Sequence, residues 1–299
     1  MDKKELKPAE NLCSIQGILS EVNLREDIGK ESKKPYIMGE IKVKTTATIG
    51  NREVELEIPV RVFANQYKKD GGLNPAFESI KKVDDMISIA ACGDESKADR
   101  VSFDNASIQM NEFYGRNDQL VSYPTIRGTF VKKVKNDGYT PKSTFSNVIV
   151  IGGMKEETDK NGDLTGRLVV KGILPQWGNK VDVVDYVVES EAAIKHISTY
   201  WQKGDTVRIT GIINFSSIVE TETIEMGFGE PQIKHRTKSI NELVITAGSQ
   251  GALDQEFAYD TDEISDALTK RQAYLAELKN NAGKKAEVVT KSTTTDFGF

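Results

Sequence analysis

Residues 60–83, VRVFANQYKKDGGLNPAFESIKKV, join two different periodicities in one short stretch. Val60, Val62 and Ala64 alternate with Arg61, Phe63 and Asn65, the period of two expected of a half-buried strand. Asn74-Pro75 then offers an N-cap followed by proline at the first helical position, and Phe77, Ile80 and Val83 fall on one helical face. The stretch predicts a strand that ends in a polar loop and passes into a helix.

Upstream, Leu12 to Val22, Tyr36 to Thr46 and Glu53 to Asn65 read as three strands, and downstream Met86 to Ala91 and Val101 to Phe113 read as two more. Strand-rich sequence resumes at Ser122 to Val134 and runs to Glu189, after which Ser190 caps a helix reaching Trp201 and two further strands follow. Ser143 to Gly152 is an extra strand-like run in this second unit. Three strands, a helix and two strands is the order of the five-stranded Greek-key barrel known as the OB-fold. The expected fold class is therefore all-β, with two tandem OB-like barrels, short helices, a C-terminal helix and a flexible tail. The corresponding domains are 1–118, 119–252, an acidic linker and amphipathic helix at 253–281, and the tail at 282–299. Local matches between the units, such as Met110-Asn111-Glu112-Phe113 with Ile240-Asn241-Glu242-Leu243, suggest a degenerate repeat, with more weight on the shared element order than on the letters.

The chain has 299 residues, a net charge of -5, two cysteines and two histidines. A length of this kind suits two domains and an appendage. So few histidines leave little material for a metal site or a Ser/His/Asp triad, and no Gly-rich loop ending in Gly-Lys-Ser/Thr is present. Carboxylate pairs such as Asp182 and Asp185 are too common in a polar chain to indicate an enzyme. The expectation is a non-enzymatic protein with no cofactor and no metal, having no membrane partner and residing in the cytosol.

Strand parity places Tyr36, Met38, Lys42 and Lys44 outward on the second strand and Arg61, Phe63 and Asn65 outward on the third. Aromatic rings and cations on one face suit a single strand of nucleic acid, whose exposed bases stack on rings while cations follow the phosphates. Lys68 stands in the adjoining loop. In the second unit Arg127, Lys132, Lys133 and Tyr139 cluster near the start, with Trp177, Lys180 and Tyr186 further on. Tyr186 can be laid at the Phe63 position by aligning Val183 to Val187 with Val60 to Ala64. The alternative role for these faces is a second small core edged by solvated lysines.

Two such units, an acidic linker and an end in Asp296-Phe297-Gly298-Phe299 together resemble single-stranded DNA-binding proteins, most closely the divergent bacteriophage type. The resemblance implies binding and protection of single-stranded DNA without strong sequence preference during replication, recombination or repair, in a bacterial host cell. It further implies that Asp296, Phe297 and Phe299 dock onto replication or recombination proteins, although the tip holds one acid where such tips hold several. Residues 254–299 carry nine acids against six bases, so most of the negative charge lies outside the barrels. Self-association is a further expected partnership. The rival reading is a β-rich virion or assembly protein whose outward aromatics meet other proteins.

Overall fold

The computed structural model describes residues 6–115, 117–224 and 232–291. Eleven strands form one hydrogen-bonded sheet that closes twice. The first closure uses β1 (Asn11–Ile28), β2 (Pro35–Ile49), β3 (Arg52–Asn65), β4 (Arg100–Tyr114) and β5 (Leu120–Gly128). β1 pairs antiparallel with β2 and β4, β2 with β3, and β4 with β5, while β3 and β5 run parallel. The second uses β7 (Lys142–Thr158), β8 (Leu164–Gln176), β9 (Lys180–Val188), β10 (Thr206–Ile224) and β11 (Gln232–Gly248), with the same pairings in the same senses. Both barrels are OB-like. Between them β6 (Lys132–Val134) adds an edge to β4.

The helices form where the sequence places their caps. In α1 (Pro75–Lys81) the Ala76 N–H donates to Asn74 Oδ1 at 3.1 Å, and Phe77 and Ile80 are buried at the base of the first barrel. In α3 (Glu191–Tyr200) the Ala193 N–H donates to Ser190 Oγ, and Ile197 and the following Trp201 are buried against the second. The Trp201 indole N–H finds the Ser249 carbonyl at 3.1 Å, so this ring is core. Helix α4 (Thr261–Lys291) is capped by Asp260, whose Oδ1 accepts from the Asp262 and Glu263 N–H groups at 2.8 and 3.2 Å. It runs on past the end expected at Asn280-Asn281, so residues 282–291 are helical rather than tail.

Two strand expectations need correction. Met86 to Ala91 forms no strand; Ser88 caps the single turn α2 (Ile89–Cys92) instead, with Gly93 ending it in a left-handed conformation. The missing fifth strand comes from the segment assigned to the second unit: β5 closes the first barrel by pairing Val60 with Ile126 and Ile108 with Ile126. The boundary expected at 118/119 therefore falls one strand early, and Ser143 to Gly152 is not an extra run but lies in β7, the first strand of the second barrel.

The barrels share a seam. The start of β1 pairs antiparallel with the start of β7, from Asn11 with Asn147 to Gln16 with Lys142. The irregularity of β1 between Leu19 and Glu21 recurs in β7 between Ile151 and Gly153. Aligning the barrels on it sets Cys13 on Phe145, and those two residues face each other in the seam, so a local two-fold axis passes between them. Core residues of both barrels, including Phe77, Phe103, Phe145 and Ile213, form one continuous cluster. A smaller cluster joins Ile264 and Ala267 of α4 to Leu6, Val150, Ile173 and Val181.

Candidate nucleic-acid interface

A groove of about 700 Å³ crosses the outer face of the first barrel, and the residues lining it all come from β1 to β5. Register brings them together. Arg25 stands opposite Met38, Met38 opposite Phe63, Glu40 opposite Arg61, and Arg61 beside Arg127. Tyr36 and Phe63 lie diagonally across the ladder with ring centroids 5.5 Å apart, tilted by 32°, and Phe63 remains 40% exposed. Three arginines and one glutamate line this groove. Arg25 Nη2 rests 3.3 Å from Met38 Sδ, and neither Arg61 nor Arg127 has an ion-pair partner among the described residues. Their guanidinium donors are available to a ligand.

The backbone must let β1 and β2 approach closely here. Gly39 lines the groove at φ +157°, and a Cβ on it would sit 2.0 Å from the Asn23 carbonyl oxygen. Any side chain would force apart the strands that carry Arg25 and Met38.

The expected cations divide into two groups. Arg61 and Arg127 meet in the groove, while four lysines are engaged elsewhere. Lys42 Nζ is 2.6 Å from Glu21, a hydrogen bond that raises its pKa, and Lys44 pairs with Glu95 and Glu55 and is raised in the same way. Lys132 and Lys133 lie on β6 and pair with Asp104 at 2.9 Å and Asp99 at 2.7 Å. Tyr139 is half-buried beneath the Arg100 guanidinium, 5.1 Å from its ring centroid. Lys68 is exposed in the loop after β3, whose turn is closed by its own N–H to Gly72. Trp177, 79% exposed, and Lys180 sit at the turn between β8 and β9 and line no part of the groove. Asp296, Phe297 and Phe299 lie outside the described residues.

Tyr186 overturns its expected role: it is fully buried, ring against Phe145 at 5.6 Å, with its hydroxyl accepting from Asn147 Nδ2 at 2.8 Å. Burial pushes the phenol pKa upward. The alignment that placed it at Phe63 was three residues off. Register equates Ile41 with Val170 and so Val60 with Tyr186, and an odd slip exchanges the two faces of a strand. Gly172 makes the space, because a Cβ there would come within 2.8 Å of the Tyr186 ring.

Other groove residues escaped the sequence reading. Arg25 follows the irregularity after Leu19, which shifts the alternation by one and turns Asn23 and Arg25 outward beyond the expected strand end. Gln109 and Asn111 of β4 line the far wall, and the same face carries Phe113 and Tyr123, packed edge to face at 6.4 Å with Tyr123 Oη 2.6 Å from Asn111 Nδ2. Alternation along β4 marks Phe113 as outward, but a strand starting a second unit hid Tyr123 as its neighbour.

A family model described as YorF matches residues 10–281. No curated protein matches the chain. Among solved structures, the wild-type single-stranded DNA binding protein from Thermus aquaticus is similar at a TM-score of 0.51 and 10% identity, covering 83% of this chain and 96% of that one. A deletion mutant of the Thermus aquaticus protein gives 0.49 and 12%, with 83% and 97% covered. The likeness to the wild-type protein is one of fold.

Proposed function

The chain belongs to the YorF family, and we propose that it is a non-enzymatic protein that binds single-stranded DNA in the groove of its first barrel without strong sequence preference. The observation that carries this is the pairing of unengaged Arg61 and Arg127 with exposed Phe63 and its half-buried neighbour Tyr36 on one open face. Rings of this kind accept any base with an unstacked face, at about 1–3 kcal/mol per base, and duplex DNA offers none. The cations follow the backbone and supply affinity that falls with salt. No base-reading pocket is needed for this mode. The fold shared with a protein named for single-stranded DNA binding supports the same reading.

Phe113 and Tyr123 extend the stacking surface along β4 and β5, with Lys68 flanking its other end and Trp177 and Lys180 as an accessory contact. Lys42, Lys44, Lys132, Lys133 and Tyr139 would contribute only after leaving their present partners. The proposed setting is DNA replication or recombination in a bacterial cytosol, with Asp296, Phe297 and Phe299 recruiting partner proteins.

A fluorescence titration with oligo-dT and with duplex of equal length, at two salt concentrations, tests the proposal. Selective binding of the single strand is expected, with a salt slope reduced by about 2 in Arg61→Ala/Arg127→Ala. Equal affinity for duplex, or no binding to either strand, would remove the proposal.

A further inference from the structure

The second barrel carries the same groove with opposite contents. Register equates Arg25 with Glu157, Met38 with Arg167, Phe63 with Glu189 and Thr125 with Glu242. Arg167 therefore stands where Met38 stands, and carboxylates surround it. Its Nε lies 2.6 Å and its Nη2 2.7 Å from Glu157, its Nη2 2.9 Å from Glu242, and its Nη1 3.3 Å from Glu189. Every nitrogen of the guanidinium is engaged. The hydrogen bonds from Arg167 hold the Glu157 carboxyl below its ordinary range.

The first barrel also places a wall over this groove. The turn between β2 and β3 reaches across, burying Ile49 at its tip and bringing Arg52 Nη2 to 3.4 Å from Glu189. Among the described residues, the remaining groove of about 620 Å³ is lined by two arginines and four glutamates and by no aromatic ring. The reverse does not occur. The turn between β8 and β9 is engaged by the N-terminal segment, with the Leu6 N–H donating to Asn179 Oδ1 at 2.6 Å, and it contributes nothing to the groove of the first barrel.

We infer that each chain has one groove for single-stranded nucleic acid, on the first barrel, and that the matching groove of the second is closed to phosphate by the Arg167 carboxylate cage and the β2–β3 turn. The inference rests on the reading of the first groove as the DNA site. An excess of carboxylate repels a phosphate chain, the Arg167 guanidinium is saturated and Arg52 is paired with Glu189, and no ring among the described residues lines the groove to hold a base. The second barrel then serves to anchor the turn and the seam.

Binding of the full chain to a dT strand of about 10 nucleotides, the scale of one barrel, tests this. Arg61→Glu/Arg127→Glu removes two unpaired surface cations and should lower affinity at least about 100-fold, with an unchanged melting temperature. Photocrosslinking of the wild-type chain to iododeoxyuridine-substituted strands should label the first groove and leave residues 165–171, 187–189 and 239–244 unlabelled. Crosslinks within those three segments, or variant affinity within about tenfold of wild type, would overturn the one-groove inference while leaving DNA binding in place. Absence of any wild-type binding would instead take down the functional proposal and this inference with it.

Discussion

Phe63 and Tyr186 were both expected on the binding face, and their surroundings assign them opposite work. Phe63 is half-open beside Tyr36, so Phe63→Ala should weaken oligo-dT binding by about 1–3 kcal/mol while the melting temperature holds. Tyr186 is sealed in the core with Asn147 as its hydroxyl's partner. Tyr186→Phe should leave DNA affinity unchanged and cost about 1–3 kcal/mol in denaturant unfolding, because the buried Asn147 amide loses its acceptor. A reversed pattern in the two variants would mean the faces have been exchanged. Parity was enough to orient Arg61 and Phe63, since β3 runs without interruption, but it could not orient residues beyond an irregularity or across a misplaced alignment.

At the level of elements, the order of strands and helices was legible because capping and alternation are local signals: Asn74-Pro75 and Ser190 cap the helices they were expected to cap. Closure was not legible, because the partner of β3 is set by long-range pairing and the β5 sequence equally suits the first strand of a new unit. The letter matches misled for the same reason: Met110-Asn111 lies on β4 and Ile240-Asn241 on β11, which are not equivalent strands. Helix α4 illustrates what only packing supplies. It bridges the barrels, with Arg271 paired to Glu112 of β4 and standing near Asp182 of β9. Burial pushes the Asp182 carboxyl up to about 6, with Glu112 adding to the rise and the Met110 N–H, Arg271 and Gln176 opposing it. The folded chain thus keeps a proton that the unfolded chain releases near pH 4, so this group's stabilisation is complete below about pH 4 and is lost as pH rises through 6. Asp182→Asn should therefore be more stable than wild type at pH 8 by about 3 kcal/mol, and the difference should shrink as pH falls and vanish below about pH 4. Melting curves of both proteins across that range check it, and a constant difference would place the cost elsewhere.

On the scale of the whole molecule, the seam and the shared core make the two barrels one folding unit. A single calorimetric transition with matching calorimetric and van't Hoff enthalpies is expected, and two resolved transitions would show that β1 and β7 part before either barrel melts. The two-fold axis at Cys13 and Phe145 has a further consequence. In a pair of identical chains related by such an axis, every substitution is made twice, and a seam between them weakens on dilution. Here both halves are written in one reading frame, so the junction survives at any concentration and each half can change alone. A codon change at 167 or 189 alters one groove and spares its twin, and division of labour between duplicate sites becomes open to a molecule that still keeps its symmetric join.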